Sequence, residues 1–388
     1  MKKYSILLFY LALMLILFLT GCMHMQNGTA ENAPRREVPV ETKIKQMDIE
    51  LEKEITLVAI GDILIHDRVY NDAKTSKGYD FLPMIERVKP YLEDATVTIA
   101  NQETMIGGEE IGLSSYPQFN SPYEVGDALK DVGVDVVTLA NNHTLDRGSA
   151  AITSAIKHWN NLKMTYTGAY ENEADSKRIR VLSTDEGIDL AFLSYTYGTN
   201  GIPVPDGQDY LVNLIDKDKI ATDIREAEEL ADVTVISYHF GNEYQRMPSK
   251  EQKDLAQFAS DLGADIVIGH HPHVLQPVEW LQGKEGNKTF VAYSLGNFLS
   301  GQDEFYRRIG GALRLTITKD DEQQITVKNP EFLPTFVDFK IVNGKMTQFE
   351  MFPMKEVTDS QLVDANQHYL QIKQHLSQWL PELSFIGE

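Results

Sequence analysis

Short apolar runs alternate with amphipathic stretches from residue 55 onward. The apolar runs are followed by polar residues, as buried strands are when they lead into loops. They predict strands at 55–60, 95–100, 136–140, 188–194, 233–237 and 266–268. The stretches between them predict helices at 81–92, 122–131, 148–161, 217–230 and 250–262. Strands separated by helices of this length predict an α/β fold with substantial parallel pairing.

The C-terminal part of the chain has a different pattern. From about residue 312 it reads as alternating strands (ALRLTIT, QITVKN), which we expect to complete a second sheet. A terminal helix is predicted at 359–380, with His368, His375 and Trp379 as surface and packing residues. We therefore expect one folded domain at 55–358 and a C-terminal helix and tail at 359–388.

The N-terminus has the pattern of a secretory signal. Lys2 and Lys3 precede an apolar run, which ends in the residues LTGC with the cysteine at Cys22. These four residues resemble the bacterial lipobox, in which the cysteine is acylated and becomes the first residue. The alternative is an uncleaved transmembrane anchor, because the run is nearly long enough to span a bilayer. Both interpretations predict a cell-membrane location with the remainder on the extracytoplasmic face.

The segment 22–54 differs in composition from the domain that follows. It is rich in Asn, Glu, Lys and Arg, contains Pro34 and Pro39, and has few large apolar residues. Such a composition is typical of a flexible tether. It would hold the folded domain away from the lipid surface, or it is an ordinary linker.

Composition narrows the classes of function. With 36 Lys and Arg against 57 Asp and Glu, the formal net charge is −21. This charge opposes binding to nucleic acid, so we expect no nucleic-acid partner. The chain has one cysteine, which excludes a disulfide-stabilised scaffold.

Polar side chains follow five of the predicted strands, and each is of a type that binds metal ions. They are Asp62, Glu103, Asn142, His239 and the pair His271 and His273. The carboxyl ends of parallel strands meet at one edge of a sheet, so these side chains are expected to converge.

Each of these residues also has an ordinary structural interpretation. Asp62 follows a glycine and could be a turn residue, and Asn142 could cap the next helix. His239 alone could be a buried, hydrogen-bonded imidazole. The cluster HHPH at 270–273 favours metal more strongly, because three imidazoles so close together are costly to bury unless they share a cation or a polar network.

The mixture of ligand types indicates the chemistry. Carboxylates and neutral imidazoles together bind divalent transition ions such as Mn, Fe or Zn, whereas calcium prefers oxygen alone. A carboxylate such as Glu103 can bridge two ions, which together bind a phosphate oxygen and activate water. His143, beside Asn142, could then stabilise or protonate the leaving oxygen.

Four further residues have two interpretations each. His66 is either an additional metal ligand or an exposed loop residue, and Arg68 either binds an anionic substrate or pairs with Asp67. Glu243 either orients a ligand or contacts substrate, or it is solvated. Asn297 either borders the site or serves only as a turn residue.

The motifs together resemble a known family. They are Gly61-Asp62, Asn101-x-Glu103, Asn141-Asn142-His143, His239-Phe-Gly-x-Glu243, Gly269-His-His-Pro-His273 and Ser294-Leu-Gly-Asn-Phe298. This set looks like the CapA family of poly-γ-glutamate capsule biosynthesis proteins, a branch of the calcineurin-like metallophosphoesterase superfamily. The resemblance implies a four-layer αββα sandwich with mixed sheets and a metal site at the sheet edge.

The resemblance also implies a role for each matching residue. It implies six metal ligands, Asp62, Glu103, Asn142, His239, His271 and His273, and a catalytic His143. Two positions depart from the superfamily pattern. Leu64 stands where a histidine is expected, and Glu103 stands where the bridging residue is an aspartate.

Three functions are compatible with the sequence. The first is a lipid-anchored accessory protein for synthesis or export of an anionic polymer such as poly-γ-glutamate, with a membrane polymer synthase complex as partner. The second is a secreted metal-dependent phosphoesterase or other hydrolase of the cell envelope. The third is a non-catalytic adaptor of a membrane synthase.

Overall fold

The computed structural model describes residues 52–387; the predicted signal sequence, Cys22 and nearly all of the predicted tether lie outside the described residues. In chain order the described strands are β1 (Lys53–Leu64), β2 (Lys74–Thr75), β3 (Gly78–Tyr79), β4 (Val97–Gln102), β5 (Val136–Thr138), β6 (Thr165–Thr167), β7 (Arg180–Ser183), β8 (Asp189–Thr196), β9 (Val233–His239), β10 (Ile266–His270), β11 (Val278–Gln282), β12 (Lys288–Ala292), β13 (Asn297–Ser300), β14 (Ile309–Lys319), β15 (Ile325–Val342), β16 (Lys345–Pro353) and β17 (Ser384–Phe385). The α-helices are α1 (Asp67–Asp72), α2 (Leu82–Ile85), α3 (Lys89–Leu92), α4 (Glu124–Asp131), α5 (Gly148–Asn161), α6 (Glu173–Ser176), α7 (Lys217–Leu230), α8 (Lys250–Ser260) and α9 (Ala365–Leu376).

The strands form two large sheets and one short hairpin. The larger sheet has the order β16-β15-β14-β1-β4-β5-β6, with β13 beside β1 and β17 beside β15. The second sheet has the order β11-β12-β10-β9-β8-β7. Strands β1, β4, β5 and β6 run parallel, as do β8, β9, β10 and β12. The carboxyl ends of these parallel strands therefore collect at one edge of each sheet.

Apolar side chains form three packed layers. One layer fills the space between the sheets and includes Leu57 of β1 and Phe192 of β8. A second lies between the larger sheet and helices α4 and α5, and it contains the fully buried Trp159. The third packs α7 and α8 on the outer face of the second sheet. The layer order helix, sheet, sheet, helix confirms the predicted mixed α/β fold with an αββα arrangement.

Two local predictions need correction. The helical stretch predicted at 81–92 is divided into α2, a 3₁₀ turn at Glu86–Val88 and α3, and Pro83 and Pro90 each stand in the first turn of a new helix. The strands after residue 312 do not complete the second sheet. They extend the larger one, because β14 pairs antiparallel with β1 along residues 53–60.

The C-terminal helix is part of the folded core. Its buried side chains Ala365, Tyr369, Ile372 and Leu376 belong to the apolar layer between the sheets. His375 and Trp379 have packing positions, since Nε2 of His375 lies 3.1 Å from the carbonyl oxygen of Leu275. Among residues 52–387, no helix combines the length and apolar character needed to cross a membrane.

Candidate metal centre

The predicted polar residues converge where the two sheets meet. Asp62 lies near the end of β1, Glu103 directly follows β4, and His239 is the last residue of β9. All three are buried, and the two carboxylates are completely inaccessible to solvent. The loop after β10 brings His271 and His273 to the same place.

Gly61 and Gly296 allow this close approach. A Cβ atom on Gly61 would lie 2.1 Å from the carbonyl oxygen of Gly296, so no side chain fits there. The same carbonyl accepts a hydrogen bond of 2.8 Å from the backbone N–H of Asp62. The glycines therefore place Asp62 against the turn that leads to Asn297.

One group of potential ligands consists of Asp62, Glu103 and His273. One ligand atom from each lies within 4.8 Å of the others. His273 Nδ1 is 3.3 Å from Asp62 Oδ2, and its Nε2 is 3.6 Å from Glu103 Oε1. The group therefore provides two carboxylates and one imidazole as potential ligands for one ion.

A second group consists of Glu103, His239 and His271, also within 4.8 Å. Nε2 of His239 lies 3.6 Å from Glu103 Oε1 and 2.7 Å from the side-chain oxygen of Asn142. The side-chain oxygen of Asn142 is thus a potential fourth ligand beside this group. Glu103 belongs to both groups, so its carboxylate is the potential ligand that the two groups share.

The residues fit bound cations. Both carboxylate oxygens of Glu103 are buried, and within residues 52–387 neither has a hydrogen-bond partner; the same holds for Nδ1 of His271. A buried carboxylate without a partner costs several kcal/mol in stability, whereas a cation between carboxylates and imidazoles removes that cost. The mixed oxygen and nitrogen donors suit a divalent transition ion.

Two of the candidate ligands have strained backbones. His271 has φ +96° and His273 has φ +56°, values that residues other than glycine seldom adopt. Such strain persists where the surrounding structure imposes it, and it is frequent at functional sites. The short segment His-Pro-His thereby presents two imidazoles to the same centre.

Proton affinities differ sharply within the cluster. Burial raises the pKa of Glu103 well above its usual range and lowers that of His271 to about 3. Burial would also lower the pKa of His273, but the carboxylates of Glu103 and Asp62 raise it to about 9. Asp62 is the reverse case, because its contacts with His270 and His273 outweigh burial and hold its pKa well below the usual range. The cluster thus attracts positive charge.

His143 is oriented by Asp146. Its Nδ1 lies 2.7 Å from Asp146 Oδ2, which also accepts a hydrogen bond of 2.7 Å from the backbone N–H of Phe119. His143 and Asp146 line a cavity of about 440 Å³ together with Asn142, Asn200 and Glu243. With Nδ1 engaged, Nε2 is the nitrogen left for proton transfer.

The remaining predicted residues have varied positions. His66 is buried rather than exposed; its Nδ1 lies 3.1 Å from the carbonyl oxygen of Leu64 and 3.2 Å from the backbone nitrogen of Gly301, and it is in no ligand group among the described residues. Burial lowers its pKa to about 4. Arg68 is near the sulfur of Met346, at 3.3 Å from its Nη1, rather than paired with Asp67 through its side chain.

Glu243 and Asn297 lie beside the centre. A carboxylate oxygen of Glu243 is within 4.8 Å of ligand nitrogens of His271 and His273, although the residue is exposed. Asn297 is fully buried, and its Oδ1 lies 3.0 Å from His273 Nδ1. Asn297 is therefore more than a turn residue, because its side chain orients the imidazole of His273.

Sequence analysis assigned no site role to three residues that the fold places here. Asn101 donates from Nδ2 to Asp62 Oδ1 at 2.8 Å, and Nδ1 of His270 is 3.2 Å from the same oxygen. The half-exposed ring of Tyr197 lies 4.7 Å from that of His271. Asn101 and His270 stand inside the motifs, and Tyr197 directly follows β8, so position at a strand end was the available signal.

Comparison with known proteins gives a consistent assignment. The family model described as bacterial capsule synthesis protein PGA_cap matches residues 56–302. The capsule biosynthesis protein CapA of Bacillus anthracis is 31% identical over 265 residues, 64% of this chain and 61% of that protein. The PGA biosynthesis protein CapA of Bacillus subtilis (strain 168) is 27% identical over 291 residues, 69% of this chain and 71% of that protein. The chain thus covers less than two thirds of the first relative.

Two solved structures are similar at low sequence identity. The NAD nucleotidase NadN of Haemophilus influenzae has a TM-score of 0.47 and 11% identity, with 84% of this chain and 64% of that chain covered. The calcineurin-like phosphoesterase YfkN of Bacillus subtilis has a TM-score of 0.43 and 16% identity, with 83% and 99% covered.

Proposed function

This chain belongs to the family of bacterial capsule synthesis protein PGA_cap, and we propose that it is a lipid-anchored accessory protein for synthesis or export of an anionic polymer of the poly-γ-glutamate kind. Membership in the family supports a capsule-related role. The proposal adds an extracytoplasmic location, a lipid on Cys22, a centre of two divalent transition ions, and contact with a membrane polymer synthase complex.

The state of Glu103 carries the metal part of the proposal. Its two oxygens are buried, have no hydrogen-bond partner among the described residues, and face ligands from both groups. A buried carboxylate without a partner is costly in stability, and a cation bound between these ligands would remove that cost. We therefore propose Asp62, Glu103 and His273 as one ion site, and Glu103, Asn142, His239 and His271 as the other.

Each residue of the centre has a distinct task. When bound, divalent ions would supply a Lewis acid and lower the pKa of a coordinated water. Asn297 and Asn101 hold His273 and Asp62 in place through the contacts described above. His143, fixed by Asp146, can give a proton to a leaving group or stabilise its charge.

Capsule measurements in a deletion strain test the role. Complementation with the wild type should restore the yield and length of surface polymer, and Glu103→Gln should not. Glu322→Gln is the matched control, because Glu322 is an exposed carboxylate in the β14–β15 loop. Unchanged polymer in the deletion strain would contradict the capsule role. Restoration by Glu103→Gln would remove the metal centre from the proposal.

The lipid anchor has its own test. Cys22→Ser should release the protein from the membrane fraction into the medium, because lipid supplies membrane affinity that a chain of charge −21 lacks. Retention of the variant in the membrane would favour the uncleaved anchor. Copurification of a synthase with the membrane-bound protein tests the partner.

A second candidate, hydrolysis in the cell envelope, is favoured by the pair His143 and Asp146. This pair lines the cavity of about 440 Å³, which the proposed ligand Asn142 also lines, so a substrate in the cavity would be within reach of His143. A hydrolytic assay of the metal-loaded protein should then show activity that His143→Ala removes. Equal activity in the variant would contradict this role for His143.

A further inference from the structure

Two loops beside the metal centre are joined by a reciprocal exchange of side chains. The first loop follows β9 and carries Tyr244 and Arg246; the second precedes β14 and carries Tyr306 and Arg307. The guanidinium carbon of Arg307 lies 3.5 Å from the ring centroid of Tyr244, and that of Arg246 lies 4.0 Å from the ring centroid of Tyr306. Each loop thus carries one tyrosine whose ring contacts an arginine of the other loop. We call these four residues the Tyr–Arg clasp.

The clasp is connected directly to the ligand His273. The ring of Tyr244 lies 6.1 Å from the imidazole of His273. The backbone carbonyl of Arg307 accepts a hydrogen bond of 2.8 Å from Asn297 Nδ2, while Asn297 Oδ1 contacts His273 at 3.0 Å. One face of the centre is therefore bordered by two guanidinium groups, and the carboxylate of Glu243 lies beside His273 and Tyr244.

These guanidinium groups are only partly neutralised. Within residues 52–387, Arg246 has no carboxylate within ion-pair distance, although the chain carries 57 acidic residues. Arg307 has one such partner, the exposed Glu304, at 3.2 Å. Contact with an aromatic face leaves the edge of a guanidinium free, and that edge binds carboxylates through two parallel hydrogen bonds.

Other arginines near the centre are used differently. Arg147 donates from Nη1 and Nη2 to the carbonyl oxygens of Gly112 and Ile111 and to Ser114 Oγ, so it holds a loop in place. Arg308 pairs with Asp338 at 3.0 Å. Among these four arginines, Arg246 and the nitrogens of Arg307 other than the Nη2 paired with Glu304 are thus the donors left for a ligand.

We propose that the Tyr–Arg clasp is a subsite that binds carboxylate groups of an acidic polymer chain and guides that chain past the metal centre. This inference rests on the proposed function, which supplies a polymer with a carboxylate on each unit. The clasp also explains how an acidic protein contacts a polyanion: long-range repulsion is screened by salt, and local guanidinium groups supply the attraction. Tyr306 and Arg307 lie beyond the segment 56–302 matched by the family model.

Binding measurements with the full chain in detergent test the clasp. The probes are poly-γ-glutamate of defined length and the same polymer with its carboxylates converted to amides. Arg307→Gln and Arg246→Gln should each weaken binding of the acidic polymer about tenfold, and the double variant should weaken it further. Arg225→Gln is the matched control, because Arg225 is an exposed arginine on α7 whose side chain bonds to Ala221 and Thr222 of the same helix. The amidated polymer should bind the wild type no more tightly than the acidic polymer binds the double variant.

Metal content and the unfolding temperature of each variant separate direct from indirect effects. Arg307→Lys, which keeps the charge but lacks the planar fork, should restore binding only in part. Equal binding by Arg307→Gln, Arg246→Gln and Arg225→Gln would overturn the subsite. The subsite would also be overturned if both clasp variants lost metal whenever they lost binding. The substitutions would then act indirectly, through the contact of Asn297 with His273.

The proposed function fails by a different measurement. If the deletion strain keeps normal surface polymer while the clasp variants still lose binding, the subsite stands and the capsule role falls. If the strain loses its polymer while the purified wild type binds no poly-γ-glutamate, the capsule role stands and the subsite falls.

Discussion

The carboxylates at the two ends of the parallel strands differ in their burial and in their hydrogen-bond partners. At the amino ends, Asp135, Asp232 and Asp265 each precede a strand, and each accepts a hydrogen bond from a backbone N–H on the neighbouring strand. The distances are 3.0 Å from Thr98, 3.0 Å from Asp189 and 2.8 Å from Thr234. These carboxylates satisfy the ends of the sheets and are structural.

At the carboxyl ends the carboxylates are arranged differently. Glu103 is fully buried and lacks a hydrogen-bond partner within residues 52–387, and Asp62 is surrounded by imidazoles. The comparison shows that residue type alone does not identify function, because aspartate and glutamate occur at both ends with different burial and different partners. A carboxylate bonded to backbone N–H groups supports the fold, whereas a fully buried carboxylate without such partners needs another explanation, which the proposed cation provides.

Replacement of the shared carboxylate should produce the largest contrast. Glu103→Gln removes a ligand common to both ion sites, so metal affinity should fall by a hundredfold or more, about 3 kcal/mol. Asp135→Asn, at the opposite strand ends, should leave metal content unchanged. Metal content is measured in both variants after dialysis. Equal metal content in Glu103→Gln and Asp135→Asn would contradict a metal site at the carboxyl ends.

Loss of His143 should separate chemistry from metal binding. His143→Ala should fail to restore surface polymer in the deletion strain. In a hydrolytic assay it should lower the rate by about 10²–10⁴, because proton transfer is lost. Its metal content should match the wild type, since His143 contacts Asp146 rather than the ligand groups. A variant that loses metal as well would show that His143 belongs to the cation site itself.

Removal of metal should destabilise the protein, because the ligands at the carboxyl ends of the strands lose their ion. At a hundredfold excess of ion over its dissociation constant, binding contributes about 2.7 kcal/mol to the free energy of unfolding. A chelator should therefore lower the unfolding temperature of the wild type and leave that of Glu103→Gln unchanged. A chelator that leaves the wild type unaffected would contradict metal binding in the folded state.

The smallest effect concerns pH at the amino ends. Burial, together with Glu228, raises the pKa of Asp265 to about 7, so the folded protein retains a proton that the unfolded chain releases above about pH 4. Stability contributed by this group is complete below that pH and falls as pH rises to about 7. Asp265→Asn keeps an acceptor for Thr234 and should be more stable than the wild type above pH 7, by about 1–2 kcal/mol. A stability difference that grows toward acid pH would contradict this assignment.

Regular elements were largely predictable because they depend on local patterns. Helices α5 and α7 begin and end where the sequence predicts them, since apolar residues recur at helical spacing and α7 is capped by Asp216. The bounds of the six predicted strands differ by a few residues from those of β1, β4, β5, β8, β9 and β10. The sheet that receives β14 was not predictable, because pairing of β14 with β1 depends on contacts more than 200 residues apart.

Candidate ligands could be named from their places after strands, but their roles could not. Asn297 has the pattern of a turn residue, and only the fold brings its side chain to His273. His270 and His271 are adjacent in sequence, yet one contacts Asp62 and the other joins the group of Glu103 and His239. The strained backbone at His271 and His273, which decides this division, leaves no local signal in the sequence.

The sequence by itself determined the α/β class, the family and the types of side chain at the strand ends, because periodicity and short motifs are local properties. Tertiary structure alone decided that Glu103 belongs to both ligand groups, that its oxygens lack protein partners, and that two arginines border the centre. These features depend on the register of the two sheets and on burial, which bring distant residues into contact and remove water from them.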